Sequence, residues 1–285
     1  MGTERFDVAA NGLSFSAVAA GPGQGRPVVF LHGFPQTSFS WHHQLEAVAE
    51  QDYRALAFDQ RGYSAGARPP EVSDYGIDRL VSDVLAVADA QGFATFDLVG
   101  HDWGAMVAWA TAGLHPARIR SLTAVSVPHP GAFAAALLGG DADQAERSSY
   151  MGVFRQEGVA EKALLGEDGS GDGLRAMFAG SGLPPDTEEV DVFVAAMRQS
   201  GALTAALNWY RAMSADAFAN VGKISVPTLY VWSTEDIAVG RKAAEATADW
   251  VTGPYRFEIL EGVSHWIPEA APDDLNRLLL EHLSS

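Results

Sequence analysis

Phe96-Asp97-Leu98-Val99-Gly100-His101-Asp102-Trp103-Gly104 is the stretch whose reading decides the fold. Residues 96–99 form a short, mainly apolar run that reads as a strand. Residues 105–112, Ala-Met-Val-Ala-Trp-Ala-Thr-Ala, read as a helix. A G-x-nucleophile-x-G pentapeptide between strand and helix is a nucleophile elbow, a sharp turn that lifts one side chain clear of the backbone. That side chain is usually serine. Here it is Asp102. A serine is acylated at a carbonyl carbon, whereas a carboxylate attacks sp³ carbon and becomes an alkyl ester of the enzyme. The elbow therefore points away from esters and amides, toward alkylating substrates such as epoxides and alkyl halides.

The pattern around the elbow is that of a parallel sheet. Val28-Val29-Phe30-Leu31 is a continuous apolar run, as a strand buried on both faces should be. Residues 54–58, 119–127, 227–232 and 255–260 read as further strands, and residues 41–50, 77–91, 242–250 and 273–283 as helices. Strands alternating with helices of this length predict an α/β fold with helices on both faces. Asn11-Gly12 between two alternating segments predicts an N-terminal hairpin. The rhythm breaks after Pro128-His129-Pro130-Gly131, where an Ala-rich stretch with helical spacing and Gly-rich breaks shows no convincing strand. The expected organisation is a core domain of residues 1–130 and 221–285, with a helical cap (lid) of residues 131–220 inserted between them.

Each of the last two strands ends in a candidate partner for Asp102. Asp236 follows the strand 227–232, and His265 follows the strand that ends at Leu260. The chain order is then nucleophile, acid, histidine. Glu235 is the main rival to Asp236, and Glu261 a weaker one. His42-His43 and His282 have no evident role. His32-Gly33-Phe34-Pro35 follows the first parallel strand, so the amides of Phe34 and Trp103 could together form an oxyanion hole.

Composition bounds the rest. The chain has 285 residues, is 47% hydrophobic, and carries a formal charge of −17. That acidity argues against nucleic acid or an anionic membrane surface as partner. There is no cysteine, hence no disulfide, thiol nucleophile or thiolate metal site, which fits a reducing, cytoplasmic setting. No basic start leads into an apolar stretch, so no signal peptide is expected. The Ala-rich, Lys-poor composition suggests a bacterial source. The sequence leaves the oligomeric state unread, and a homodimer stays open.

These motifs together resemble those of the α/β-hydrolase superfamily, and within it the epoxide hydrolases. His32-Gly33-Phe34-Pro35 is similar to the family's HGxP motif, whose proline typically follows a cis peptide. Asp59-Gln60-Arg61-Gly62-Tyr63 resembles its DxRGY-type segment. Asn208-Trp209-Tyr210-Arg211 is similar to a cap motif that carries one of two tyrosines gripping the epoxide oxygen. Tyr150, ahead of Gly158-Val159-Ala160-Glu161, resembles the other on looser flanking sequence. The resemblance implies Asp102, His265, Asp236, Tyr150 and Tyr210 as catalytic residues, Phe34, Trp103 and Trp209 as substrate contacts, and no metal or organic cofactor. It implies an epoxide and water as the small-molecule partners.

Haloalkane and fluoroacetate (haloacid) dehalogenases share the aspartate nucleophile and are the rival reading. Phe34 and Tyr210 argue against the first. Trp103, where the second has arginine, argues against that one, although His32 to Gln36 matches its HGFPQ string. A ligand receptor on an inactive scaffold is the non-enzyme alternative. Retention of nucleophile, acid and base candidates speaks against it.

Overall fold

The structure is a computed structural model that describes residues 2–214 and 216–285. Met1, at the start of the expected core segment, and Ala215, inside the expected cap segment, lie outside the described residues. Eight strands form one sheet: β1 (Glu4–Ala10), β2 (Leu13–Ala20), β3 (Pro27–Leu31), β4 (Arg54–Phe58), β5 (Phe96–His101), β6 (Ile119–Val125), β7 (Thr228–Glu235) and β8 (Tyr255–Ser264). Their spatial order is β1-β2-β4-β3-β5-β6-β7-β8. β1, β2 and β4 pair antiparallel, and every pair from β4 onward is parallel. The hairpin turns at Asn11, whose φ of 52° is tolerated by asparagine, with glycine next at 75°.

Alternation along the parallel strands divides the interior between two faces. Val28, Phe30, Val99 and Val231 point to one side. There they meet Leu45 and Val48 of α1 (His42–Ala49) and Leu275 and Leu279 of α13 (Pro272–Leu283). Val29, Leu31 and Leu98 point to the other. They pack there with Val84 of α2 (Ile77–Ala90) and Trp109 of α3 (Trp103–Leu114). α3 is apolar all round and every residue from Trp103 to Ala112 is buried. Such a helix needs cover on its outer side as well.

That cover is an insertion between β6 and β7. It holds α4 (Pro130–Leu138), α5 (Ala142–Arg147), α6 (Tyr150–Phe154), α7 (Val159–Leu165), α8 (Asp172–Gly180), α9 (Glu188–Met197) and α10 (Ala202–Ala212). Phe178, Phe193 and Leu207 of the insertion belong to the same buried cluster as α2 and α3, so the cap and that face of the core share one interior. His129 stitches the two chain crossings. Its Nδ1 accepts from the Gly131 amide at 3.0 Å, and its Nε2 faces the carbonyl of Gly222 at 3.2 Å. Burial pushes its pKa down to about 4, which suits a neutral ring with one donor and one acceptor nitrogen.

Some expected bounds shift for local reasons. The strand expected to reach 127 stops at Val125, because Ser126 turns out of the sheet with φ 66°. The helix expected from 105 starts at Trp103, directly after Asp102. The helix expected over 242–250 divides into α11 (Arg241–Glu245) and a 3-10 turn, Ala246–Trp250. α12 (Ile267–Ala270) is a short extra turn after His265.

Candidate active site

β3 and β5 are adjacent, but their outgoing chains run to opposite sides of the sheet. β3 leads through α1 to β4, and β5 leads through α3 to β6. The crevice between their carboxyl ends is a topological switch point, where open α/β sheets hold their ligands. Asp102 stands there, 8% exposed.

Its backbone adopts φ 53°, ψ −122°, a region that a non-glycine residue occupies only under constraint from its surroundings. Close approach by glycine supplies the constraint. A Cβ at Gly104 would lie 2.0 Å from the carbonyl oxygen of Leu31, and one at Gly33 would lie 2.3 Å from Cβ of Asp102. The amide of Phe34 donates to Asp102 Oδ1 at 2.8 Å. Trp103, expected as the second donor, is not among the described hydrogen-bond partners of that carboxylate. Its N–H belongs to the first turn of α3 and has no intrahelical partner. The Phe34–Pro35 peptide is cis.

β7 and β8 deliver the other two groups. His265 Nε2 lies 3.5 Å from Asp102 Oδ2, and Nδ1 lies 2.8 Å from Asp236 Oδ2. The second oxygen of Asp236 accepts from the amides of Ala238 at 2.8 Å and Val239 at 3.0 Å. Glu235 and Glu261, the rival acids, are exposed at the end of β7 and in β8. Ser126 donates to the His265 carbonyl at 2.7 Å, and His101 Nε2 meets the same oxygen at 2.9 Å. Burial opposes charge on His265, yet Asp236 and Asp102 together push its pKa up to about 10. Burial likewise works against the Asp102 carboxylate. Bonding to His265 and the Phe34 amide outweighs it and leaves the pKa below the usual carboxylate value.

The cap brings Tyr150 and Tyr210 over this group. Their rings are 6.3 Å apart, and the Tyr210 ring stands edge-on to Phe34 at 5.3 Å and Trp103 at 5.1 Å. Burial raises the pKa of both phenols above the usual tyrosine value, and the Asp102 charge adds to it, so both stay protonated at neutral pH.

Each residue of the Asn208–Arg211 motif has its own contact. Asn208 accepts from Arg211 Nη1 at 3.1 Å. Arg211 pairs with Glu161 of α7 at 2.8 Å, and Glu161 also caps that helix through the Gly158 amide. Trp209, expected as a substrate contact, lines neither cavity at Asp102. Its neighbour on the helix faces roughly 100° away. While Tyr210 looks into the site, the Trp209 indole donates to the Arg61 carbonyl at 2.8 Å and packs edge-on against Tyr63 and Trp103. Arg61 is held in turn by Asp83 through two bonds of 2.6 and 2.8 Å.

Two apolar cavities open at Asp102. The larger, about 150 Å³, is lined among others by Phe34, Phe154, Met177, Tyr210 and Trp266. The smaller, about 30 Å³, is lined by Met106, Val127, Phe133, Met151, Met213 and Val239 among others. Most of these walls carry no sequence signature. Met151 and Val239 lie within three residues of Tyr150 and Asp236, and that adjacency is the one signal that could have found them. Among the described residues one cluster brings metal-ligating side chains together, His42, His43 and Glu189 within 4.8 Å. It shares no residue with either cavity.

The chain is similar to known proteins along nearly its whole length. A family model for the alpha/beta hydrolase fold matches residues 26–272. Epoxide hydrolase A of Mycobacterium tuberculosis is 34% identical over 316 residues, covering 99% of this chain and 97% of its own. Epoxide hydrolase 4 of Mus musculus is 33% identical, covering 94% of this chain and 76% of its own. Among solved structures, Epoxide Hydrolase A from Mycobacterium thermoresistibile matches with a TM-score of 0.85 at 28% identity, over 100% of this chain and 99% of its own. A novel epoxide hydrolase from metagenomes of hot environments matches at 0.88 with 30% identity, over 99% of each chain.

Proposed function

The chain belongs to the epoxide hydrolase family of the alpha/beta hydrolase fold, and from that membership we propose that it converts an epoxide to a vicinal diol through an ester on Asp102. The observation that carries the reading is the pairing of a buried carboxylate with two protonated phenols across one cavity. Asp102 Oδ1 is engaged by the Phe34 amide, which leaves Oδ2 to attack a ring carbon. An epoxide opens to an alkoxide, a poor leaving group without a proton. Tyr150 and Tyr210 bond the ring oxygen from the opposite side, stabilise the developing charge and supply that proton.

Alkylation changes the electrostatics of His265. The free enzyme holds it charged between two carboxylates. Once Asp102 is an ester, one of those charges is gone, and the imidazole gives up its proton more easily, to the phenolate that ring opening leaves. Oriented by Asp236, it then removes a proton from water, which attacks Cγ of Asp102. The carbonyl oxygen takes negative charge beside the Phe34 amide, with the Trp103 amide as second donor. The ester breaks as its alkoxide oxygen takes the proton from His265, the diol leaves, the carboxyl of Asp102 returns its own proton to the imidazole, and the carboxylate retains one oxygen from water. None of these steps calls for a metal or organic cofactor.

A diol assay beside a halide-release assay tests the reading. Purified protein is expected to turn over styrene oxide to the diol and to release no halide from haloalkanes or fluoroacetate. Halide release without diol formation would establish the dehalogenase reading instead.

A further inference from the structure

The two cavities at Asp102 are unequal, and a third lies behind the smaller one. Asp102, Tyr150 and Ala238 line both inner chambers, so these meet at the reacting carbon. An epoxide held there by Asp102 and the two tyrosines sends its two substituents into different chambers. About 150 Å³ of dry apolar space is what a benzene ring needs, and the larger chamber provides about 150 Å³. A cavity needs roughly 10–15 Å³ to hold one water molecule. The smaller chamber, at about 30 Å³, therefore takes little more than a hydrogen or a methyl group.

The small chamber ends at side chains rather than at backbone. Met106 of α3, Phe133 of α4 and Met213 after α10 line it, and the same three residues line an outer cavity of about 580 Å³ that opens by Leu138 and Phe218. They stand between the two spaces. Methionine is unbranched and adaptable, so two of the three partition members can move without a shift of the main chain.

We propose, on the reading that Asp102 opens epoxides, that the site selects epoxides carrying one benzene-sized apolar substituent and at most a methyl on the other ring carbon, with Met106, Phe133 and Met213 setting that limit. Removing part of the partition joins the small chamber to the outer cavity and admits substrates substituted at both carbons.

The test compares kcat/KM for styrene oxide and trans-stilbene oxide within each protein, so that a general loss of activity cancels. Wild type is expected to prefer styrene oxide by roughly tenfold to a hundredfold, the penalty for forcing a ring into a filled space. Phe133→Ala is expected to narrow the preference tenfold or more, whereas Met177→Ala, in the large chamber, leaves it unnarrowed. Met213→Ala and Met106→Ala read the same partition if Phe133→Ala does not fold. Equal turnover of the two epoxides by wild type overturns the size limit and leaves the epoxide reading standing. An unchanged preference in all three partition variants overturns the assignment of these residues. Turnover of neither epoxide by wild type sinks the functional reading and this inference together.

Discussion

The two halves of the site are held by different forces. On the core side, Asp102 is fixed by backbone: a strained φ of 53°, glycines packed against carbonyls, and strand ends that deliver Asp236 and His265. On the cap side, Tyr150 sits on a five-residue helix, and Tyr210 on one anchored by the Trp209 indole and the Arg211–Glu161 pair. Backbone constraint tolerates few sequences, so the core half announces itself as motifs. Side-chain anchoring can be built in many ways. The cap half is therefore quieter in sequence, and it should be easier to perturb by single substitutions. The same division runs through the chemistry. In the proposed mechanism the core half makes and breaks the ester, and the cap half handles the leaving oxygen.

The largest expected effect falls on the core. His265→Gln is expected to abolish steady-state turnover while leaving alkylation intact, so that mass spectrometry of the protein finds one substrate molecule attached at Asp102. Intact protein of unmodified mass after exposure to substrate would separate His265 from the hydrolytic step. On the cap, Tyr210→Phe is expected to slow ester formation by about 10²-fold, within the usual range for a general acid. Stopped-flow traces should show formation slowed and ester hydrolysis unchanged. Equal slowing of both halves would erase the division of labour.

The joint between the regions is the next target. Asp83→Asn leaves the Arg61 guanidinium without its buried partner, a loss of about 3–5 kcal/mol. Because Arg61 presents its carbonyl to Trp209, denaturant melts should show the loss, and Tyr210-dependent ester formation should suffer more than hydrolysis.

The smallest effect concerns Glu269, half-buried as a residue but with its carboxyl covered beside Gln36 and Ser40, each donating to it at 2.6 Å. Burial pushes its pKa up to about 8. The folded protein thus holds this proton more tightly than the unfolded chain does. Its contribution is full below the ordinary pKa of 4.5 and is lost as pH rises through about 8. Glu269→Gln removes that loss. The Tm of the variant relative to wild type should rise between pH 5 and pH 9 by several degrees, at about 2–4 °C per kcal/mol for a chain of this size. A constant difference across that range would contradict it.

The sheet was readable because strands buried on both faces leave continuous apolar runs, as at residues 28–31. The elbow was readable because its geometry demands small residues at 100 and 104 around one functional side chain. The sequence favours Asp236 over Glu235, but the geometric reason, that adjacent residues at a strand end point opposite ways, shows only in three dimensions. The different surroundings of Trp209 and Tyr210 were equally hidden, because one step along a helix turns a side chain from the pocket to the core loop. Most of the cavity walls were silent because they come from α3, the chain after β6 and the chain after α10, and apolar side chains there look like any other core. Seven short helices with Gly-rich turns also blurred the bounds within the cap.

The central claim is that the carboxylate of Asp102, and not water, attacks the substrate. A single turnover in ¹⁸O-water, with enzyme in excess over styrene oxide, tests it most directly. Peptide mass spectrometry should then find ¹⁸O in the Asp102 side chain, and the diol of that first turnover should carry only ¹⁶O. Label in the diol with an unlabelled Asp102 would mean direct attack by water and would contradict the account.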